Sequence, residues 1–259
     1  MSQRPPRSTS WQKIGKWYDE TVSEHGHYYH QTLIIPGVMR LLGLTKESAL
    51  LDLACGQGIL SRHLPPGVSY TGVDLASSLI HAAQQYNPQA SYKFLVGDVT
   101  KELPVKQTNF SHAAIILALQ NIEEPLKVFK NASKHLEAGG KLIIVLNHPC
   151  FRIPRQSSWK VDVDNKVQYR RIDRYMSEMK IPIQTHPGKG KDSPQTWTFH
   201  YPLSSITQWL HEAGFVIQQI EEWCSDKESQ GKAAKMENRS RTEIPLFMTI
   251  LAVKNSPVM

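Results

Sequence analysis

The chain is poor in cysteine, holds no long hydrophobic run and lacks the last glycine of the dinucleotide signature. Its 259 residues include only Cys55, Cys150 and Cys224, none in C-x-x-C spacing. That excludes a disulfide framework and a zinc knuckle, and predicts a reducing, cytoplasmic setting. The longest apolar stretches, such as Ala113–Leu119 and Leu142–Leu146, fall far short of the ~20 residues of a spanning helix, so no membrane role is expected. Residues 1–10 are basic without an apolar core, which reads as a disordered tail rather than a signal peptide. His25, His27 and His30 have no Asp, Glu or Cys partners at zinc spacing, so no metal is expected. No internal repeat is present.

Thirty basic and 23 acidic residues give a net charge of +7. The excess favours anionic partners. Much of it lies in loop-like stretches such as Lys227–Arg241, which read as a solvated face, so nucleic acid is the less favoured partner.

Residues 45–150 alternate strand and helix. Strands are predicted at Ala49–Ala54, Ser69–Val73, Tyr92–Val96, Ala113–Leu117 and Lys141–Leu146. Helical stretches are predicted at Ile59–His63, Leu79–Tyr86 and Leu126–His135. That rhythm belongs to a mostly parallel, Rossmann-like α/β sheet with helices on both faces. Before it, residues 11–44 read as a helical cap, with Trp11, Ile14, Trp17 and Tyr18 at helical spacing and a second amphipathic stretch over Leu33–Leu44. After it, residues 151–202 break the rhythm with Pro154, Pro182, Pro187, Pro194 and Gly188–Lys191, and read as an inserted lid over the substrate pocket. Residues 203–259 add a helix over Leu203–Ala213, capped by Ser204, and strands at Phe215–Trp223 and Leu246–Val253, joined by a charged connection over 225–244. The whole of 11–259 is read as one domain.

Two features carry the functional reading. Leu50–Gly58 is an apolar run ending in a glycine turn, and Asp74 ends the second short run. Such a turn lets a ligand approach the backbone, and such an acid receives a ribose diol. A dinucleotide site wants G-x-G-x-x-G, but here the turn is Gly56-Gln-Gly58-Ile-Leu-Ser61, and Asp52 precedes it. A carboxylate there repels a pyrophosphate and attracts the ammonium and sulfonium of S-adenosylmethionine (SAM).

At this point the sequence resembles the class I SAM-dependent methyltransferases, in particular a bacterial group with type 11/25-like domains. Asp52, Ala54, Gly56 and Gly58 fill the family's first motif, with Cys55 where it often has Cys-Gly. Asp74 fills the second, Phe94–Val99 the third, Ala113–Pro125 the fourth, and Leu136–Leu146 the glycine turn and fifth strand. The resemblance implies seven strands, the last inserted antiparallel between the fifth and sixth. It implies SAM as cofactor and S-adenosylhomocysteine (SAH) as product. The implied cofactor residues are Asp52, Ala54, Cys55, Gly56, Gly58, Asp74, Leu75, Asp98, Val99 and Leu117.

The acceptor is expected to be a small molecule, anionic or aromatic, with an O or N nucleophile. No Asn/Asp-Pro-Pro-aromatic signature follows the fourth strand. Leu117–Gln120 resembles the Leu-x-Leu-His of small-molecule enzymes, with Gln120 replacing His. His148, at the carboxyl end of the fifth strand, is expected to serve the acceptor together with His30 or Tyr28. An RNA or protein methyltransferase, a SAM-binding regulator without turnover and an NAD(P)-dependent oxidoreductase are the alternatives.

Overall fold

Leu142-Ile-Ile-Val-Leu146 is apolar at every position because both of its faces are covered. In β5 (Leu136–Asn147), Leu142, Ile144 and Leu146 enter one core while Ile143 and Val145 enter another. Successive strand residues point to opposite faces, so a continuous apolar run marks a strand between two layers. β1 (Ala49–Leu53) divides the same way, with Leu51 and Leu53 on one side and Leu50 on the other. Each such burial contributes about 1.5–3 kcal/mol.

The computed structural model describes residues 26–87, 89, 91–184 and 195–255. The expected tail over 1–10, the cap positions Trp11 to Tyr18, His25, Pro187, Gly188–Lys191 and Pro194 lie outside these. The remaining strands of the main sheet are β2 (Ser69–Asp74), β3 (Tyr92–Val96), β4 (Phe110–Ile116), β10 (Phe215–Trp223) and β11 (Phe247–Lys254). Their order is β3-β2-β1-β4-β5-β11-β10. β1 to β5 pair in parallel, and β11 runs antiparallel between β5 and β10, as the resemblance implied.

The helices seal the two faces. α1 (Ile35–Leu42) places Ile35, Val38, Leu41 and Leu42 in the core of Leu50 and Ile143, and α2 (Ser77–Tyr86) adds Ile80 and Ala83. The other face takes Val128, Phe129 and Ala132 of α3 (Pro125–His135), and Ile206 and Leu210 of α4 (Leu203–Glu212). These spacings set one apolar stripe on each helix.

Local readings differ at four places. Ile59–His63 forms only a short 3-10 turn, Leu60–His63. β5 begins at Leu136, because Leu136 pairs with Phe110 ahead of a bulge, so the glycine turn lies inside the strand. Ser204 caps nothing: Pro202 is the N-cap of α4 and no side chain caps it. The connection over 225–244 contains α5 (Ala234–Glu243), a polar helix without an apolar stripe, held to the inserted segment by Ser240 Oγ donating to Gln168 Oε1 at 2.6 Å.

The inserted segment is built of two antiparallel hairpins, β6 (Ser157–Asp162) with β7 (Val167–Ile172), and β8 (Met179–Gln184) with β9 (Gln195–His200). The second is fastened to the loop after β4. Thr198 donates to the Gln120 carbonyl at 3.0 Å, the Tyr201 hydroxyl to those of Ile122 and Glu123, and Lys180 pairs with Glu123 at 2.8 Å. These bonds hold the hairpin over the carboxyl ends of the strands.

Candidate functional site

The sheet order reverses between β1 and β4, and ligands in open α/β sheets bind at that point, outside the strand carboxyl ends. A cavity of about 770 Å³ opens there.

Its first wall is the turn after β1. Asp52 shares a strand face with Leu50 and is buried, and the Tyr70 hydroxyl donates to its Oδ2 at 2.7 Å. Burial pushes the Asp52 carboxyl up to about 7, against the pull of Tyr70; Asp74 adds a smaller upward push. Ala54 follows with a φ of 61°, and Leu117, just past β4, has 52°. Left-handed backbone costs a side-chain-bearing residue roughly 1–2 kcal/mol. Both are held there: the Cys55 amide bonds Val73 O at 3.1 Å and the Leu117 amide bonds Val145 O at 2.7 Å. Strain retained on adjacent strands beside one cavity marks a ligand site.

Asp74 closes the turn from β2. Its Oδ2 accepts the Gly56 amide at 2.9 Å and its Oδ1 the Ala76 amide at 2.8 Å. Burial raises its pKa, and those two amides oppose the rise. One lone pair on each oxygen is left for a ligand diol. Beyond β3, Asp98 Oδ1 accepts from both the amide and the hydroxyl of Thr100.

Of the residues expected to hold the cofactor, Asp52, Ala54, Cys55, Gly56, Asp74, Leu75, Asp98, Val99 and Leu117 all line the cavity. Gly58 is not on its wall. It shapes the turn from behind, against Phe94. A ring of three acids suits a cationic amino-acid nucleoside: an anionic Asp52 is disfavoured in the cavity alone and gains a partner when an ammonium arrives.

The acceptor residues fare differently. His30 lines the cavity and is buried, its Nδ1 has no hydrogen-bond partner among the described residues, and burial with nearby His27 lowers its pKa to about 4. Tyr28 is exposed outside the cavity, with Lys227 Nζ 4.4 Å from its ring centre. His148 is buried away from the cavity: its Nε2 meets Glu222 Oε1 at 2.6 Å and its Nδ1 accepts the Cys150 amide. With both ring nitrogens committed, His148 braces the end of β5 against β10 and does not line the cavity. His148→Ala is expected to lower stability by about 1–3 kcal/mol, the range for unpairing buried polar groups, and to leave SAH affinity unchanged. Scanning calorimetry and SAH titration of the variant check both.

Sequence reading missed Tyr29, Ile183, Thr198 and Phe247, which also line the cavity. Phe247 opens β11, and an antiparallel strand brings its first residue, opposite Asn147, to the mouth where the parallel strands end.

Residues 51–144 match the family described as Methyltransferase domain. This stretch is a methyltransferase domain with the class I fold. Its cofactor is SAM. The demethylmenaquinone methyltransferase of Chlamydia pneumoniae is 32% identical over 139 residues, 52% of this chain and 57% of that protein. The chain thus spans about half the length of the curated relatives it matches. A SAM-dependent methyltransferase from Mesorhizobium loti superposes with a TM-score of 0.65 at 24% identity, covering 85% of this chain and 96% of that one. The glycopeptide N-methyltransferase MtfA, solved with sinefungin, gives 0.56 at 16% identity and 87% of each chain. These two likenesses establish the fold of the methyltransferase domain and its surroundings.

Proposed function

We propose that the protein transfers a methyl group from SAM to an O or N nucleophile of a small-molecule acceptor, releasing SAH. What carries the reading is the division of the cavity by sheet order. Of its acids, Asp52, Asp74 and Asp98 come from β1, β2 and the turn after β3, while Glu123 and Glu124, in the loop after β4, also line it and are paired with Lys180 and Lys127. Its aromatic and uncharged polar groups, among them Tyr29, His30, Gln120 and Phe247, come from the N-terminal segment and the β4–β5–β11 side. A cofactor and an acceptor then meet over the strained pair Ala54 and Leu117.

SAM supplies an electrophilic methyl group on its sulfonium. Asp52 holds the ammonium end, Asp74 the ribose diol, and Leu75, Asp98 and Val99 border the base. His30, neutral near pH 7, accepts a hydrogen bond from the acceptor and orients it. A ring nitrogen with a pKa of about 4 positions a protic nucleophile better than it deprotonates one. Hairpin β8–β9 contributes Ile183 and Thr198 to the wall and excludes water, so alignment and desolvation supply much of the rate.

The Chlamydia relative is named for demethylmenaquinone, which supports a small-molecule acceptor. So does the charge at the rim. Lys101, Lys127 and Lys180 are paired with Asp98, Glu124 and Glu123, leaving no basic track of these three for a nucleic acid.

Calorimetry with SAH and NAD⁺ tests the assignment: SAH binds and NAD⁺ does not. Asp52 adds a proton signature. Its pKa of about 7 falls when the ligand ammonium arrives. Between the lowered value and 7, the empty site holds a proton that the filled site lacks. Binding there releases up to one proton, and affinity rises with pH until it levels above 7. Titration in buffers of different ionisation enthalpy reads the release, and Asp52→Asn abolishes it. Binding of NAD⁺ without SAH overturns the function, while SAH binding without proton release removes only the role of Asp52.

A further inference from the structure

Among the described residues two full cations line the cavity, and they differ in kind. Lys101 sits 3.7 Å from Asp98. Arg152, in the turn after β5, has no hydrogen bond or ion pair from its guanidinium among the described residues. Its amide is fixed to the His148 carbonyl at 2.8 Å, so its base is anchored while its head is uncommitted. The side chain is exposed to solvent, yet neighbouring protein desolvates it enough to lower its pKa.

Behind it lies Arg170, close enough that Arg152 lowers its pKa by like-charge repulsion. Arg170 is occupied: its Nε donates to the Phe151 carbonyl, its Nη2 to Ser157 Oγ, both at 2.8 Å, and it stacks on Trp159. No described carboxylate pairs with either arginine. Two adjacent guanidiniums without a counter-charge, one with its fork free in a cavity, form a receptor for a planar oxyanion. Gln120 stands on the same wall. Its Nε2 donates to the Leu117 carbonyl, which leaves a buried Oε1 without a donor among the described residues.

We infer that the acceptor carries an oxyanion, a carboxylate or a phosphate, seated on Arg152, and a protic N–H or O–H group that donates to Gln120 Oε1. Tyr29 and Phe247, whose rings meet edge-on 5.7 Å apart, supply the apolar wall between. The inference rests on the methyltransferase reading of the same cavity, and it makes Arg152 a specificity residue for that reaction.

The test uses the full chain saturated with SAH, titrated with benzoate, phenyl phosphate and the uncharged benzamide, followed by ligand-observed NMR. Benzoate or phenyl phosphate is expected to bind, and Arg152→Gln to weaken that binding about tenfold or more, the range for a charge-assisted pair. Arg152→Lys recovers part of it, and benzamide is insensitive to all three forms. Whichever anion depends on Arg152 identifies the oxyanion. Equal anion binding by wild type and Arg152→Gln overturns the inference, as does no anion binding at all. Loss of SAH affinity in Arg152→Gln also overturns it, because the arginine then serves the donor's carboxylate. Failure of SAH to bind the wild type is a separate result and strikes the methyltransferase reading itself.

Discussion

Asp74→Ala is expected to raise the dissociation constant of SAH about a hundredfold or more. The carboxylate already accepts the amides of Gly56 and Ala76, so its oxygens are aimed before a ligand arrives. Two ribose hydroxyls then add two charge-assisted hydrogen bonds at about 1.5–3 kcal/mol each, and 1.4 kcal/mol is tenfold. The same change unpairs two backbone donors in the turn, so stability falls as well, by about 1–3 kcal/mol. The two effects separate experimentally. SAH titration at a temperature where the variant is fully folded isolates binding. Asp74→Asn is intermediate, since its amide nitrogen cannot accept from the Gly56 or Ala76 amide. A change in SAH affinity below tenfold for Asp74→Ala removes Asp74 from the ribose site.

The parts of this protein legible in its sequence are those where a local pattern has one physical solution. Leu142–Leu146 is apolar throughout, and only a strand covered on both faces explains so short a run. Asp52 ahead of the glycine turn disfavours a pyrophosphate by charge. What escaped the sequence depends on direction and on distant partners. His148 lies one residue beyond Asn147, and only Asn147 faces the cavity; His148 turns to Glu222 on β10, far off in sequence. Tyr28 and His30 are two residues apart, yet one is exposed and the other buried. The hairpins after β5 carry mixed faces, because one side leans on loops instead of a layer, so no period-two pattern announces them. α5 has no apolar stripe to read.

Gly58→Ala is expected to destabilise the fold by about 2–5 kcal/mol and to weaken SAH binding with it. Its φ of 71° costs a side-chain-bearing residue roughly 1–2 kcal/mol. The added Cβ would also stand 2.7 Å from Phe94 Cε1 and 3.3 Å from Asn87 Nδ2, and overpacking of that kind costs about 1–3 kcal/mol. Neither neighbour can step aside. Asn87 is tied to the Ala83 carbonyl and to Ser61, and Ser61 is tied back to the Gly58 carbonyl. Phe94 packs on Tyr70 with ring centres 5.4 Å apart, and Tyr70 holds Asp52. Any retreat of Phe94 therefore presses on the pair that shapes the ammonium end of the cavity. Gly43→Ala is the matched control. Its φ is 60°, but nothing lies within 4 Å of the added Cβ, so it incurs the backbone cost alone, about 1–2 kcal/mol, and leaves SAH affinity intact. Urea denaturation of both variants measures the difference. Equal losses would show that the turn tolerates a methyl group against Phe94, and that Gly58 is required only for its backbone.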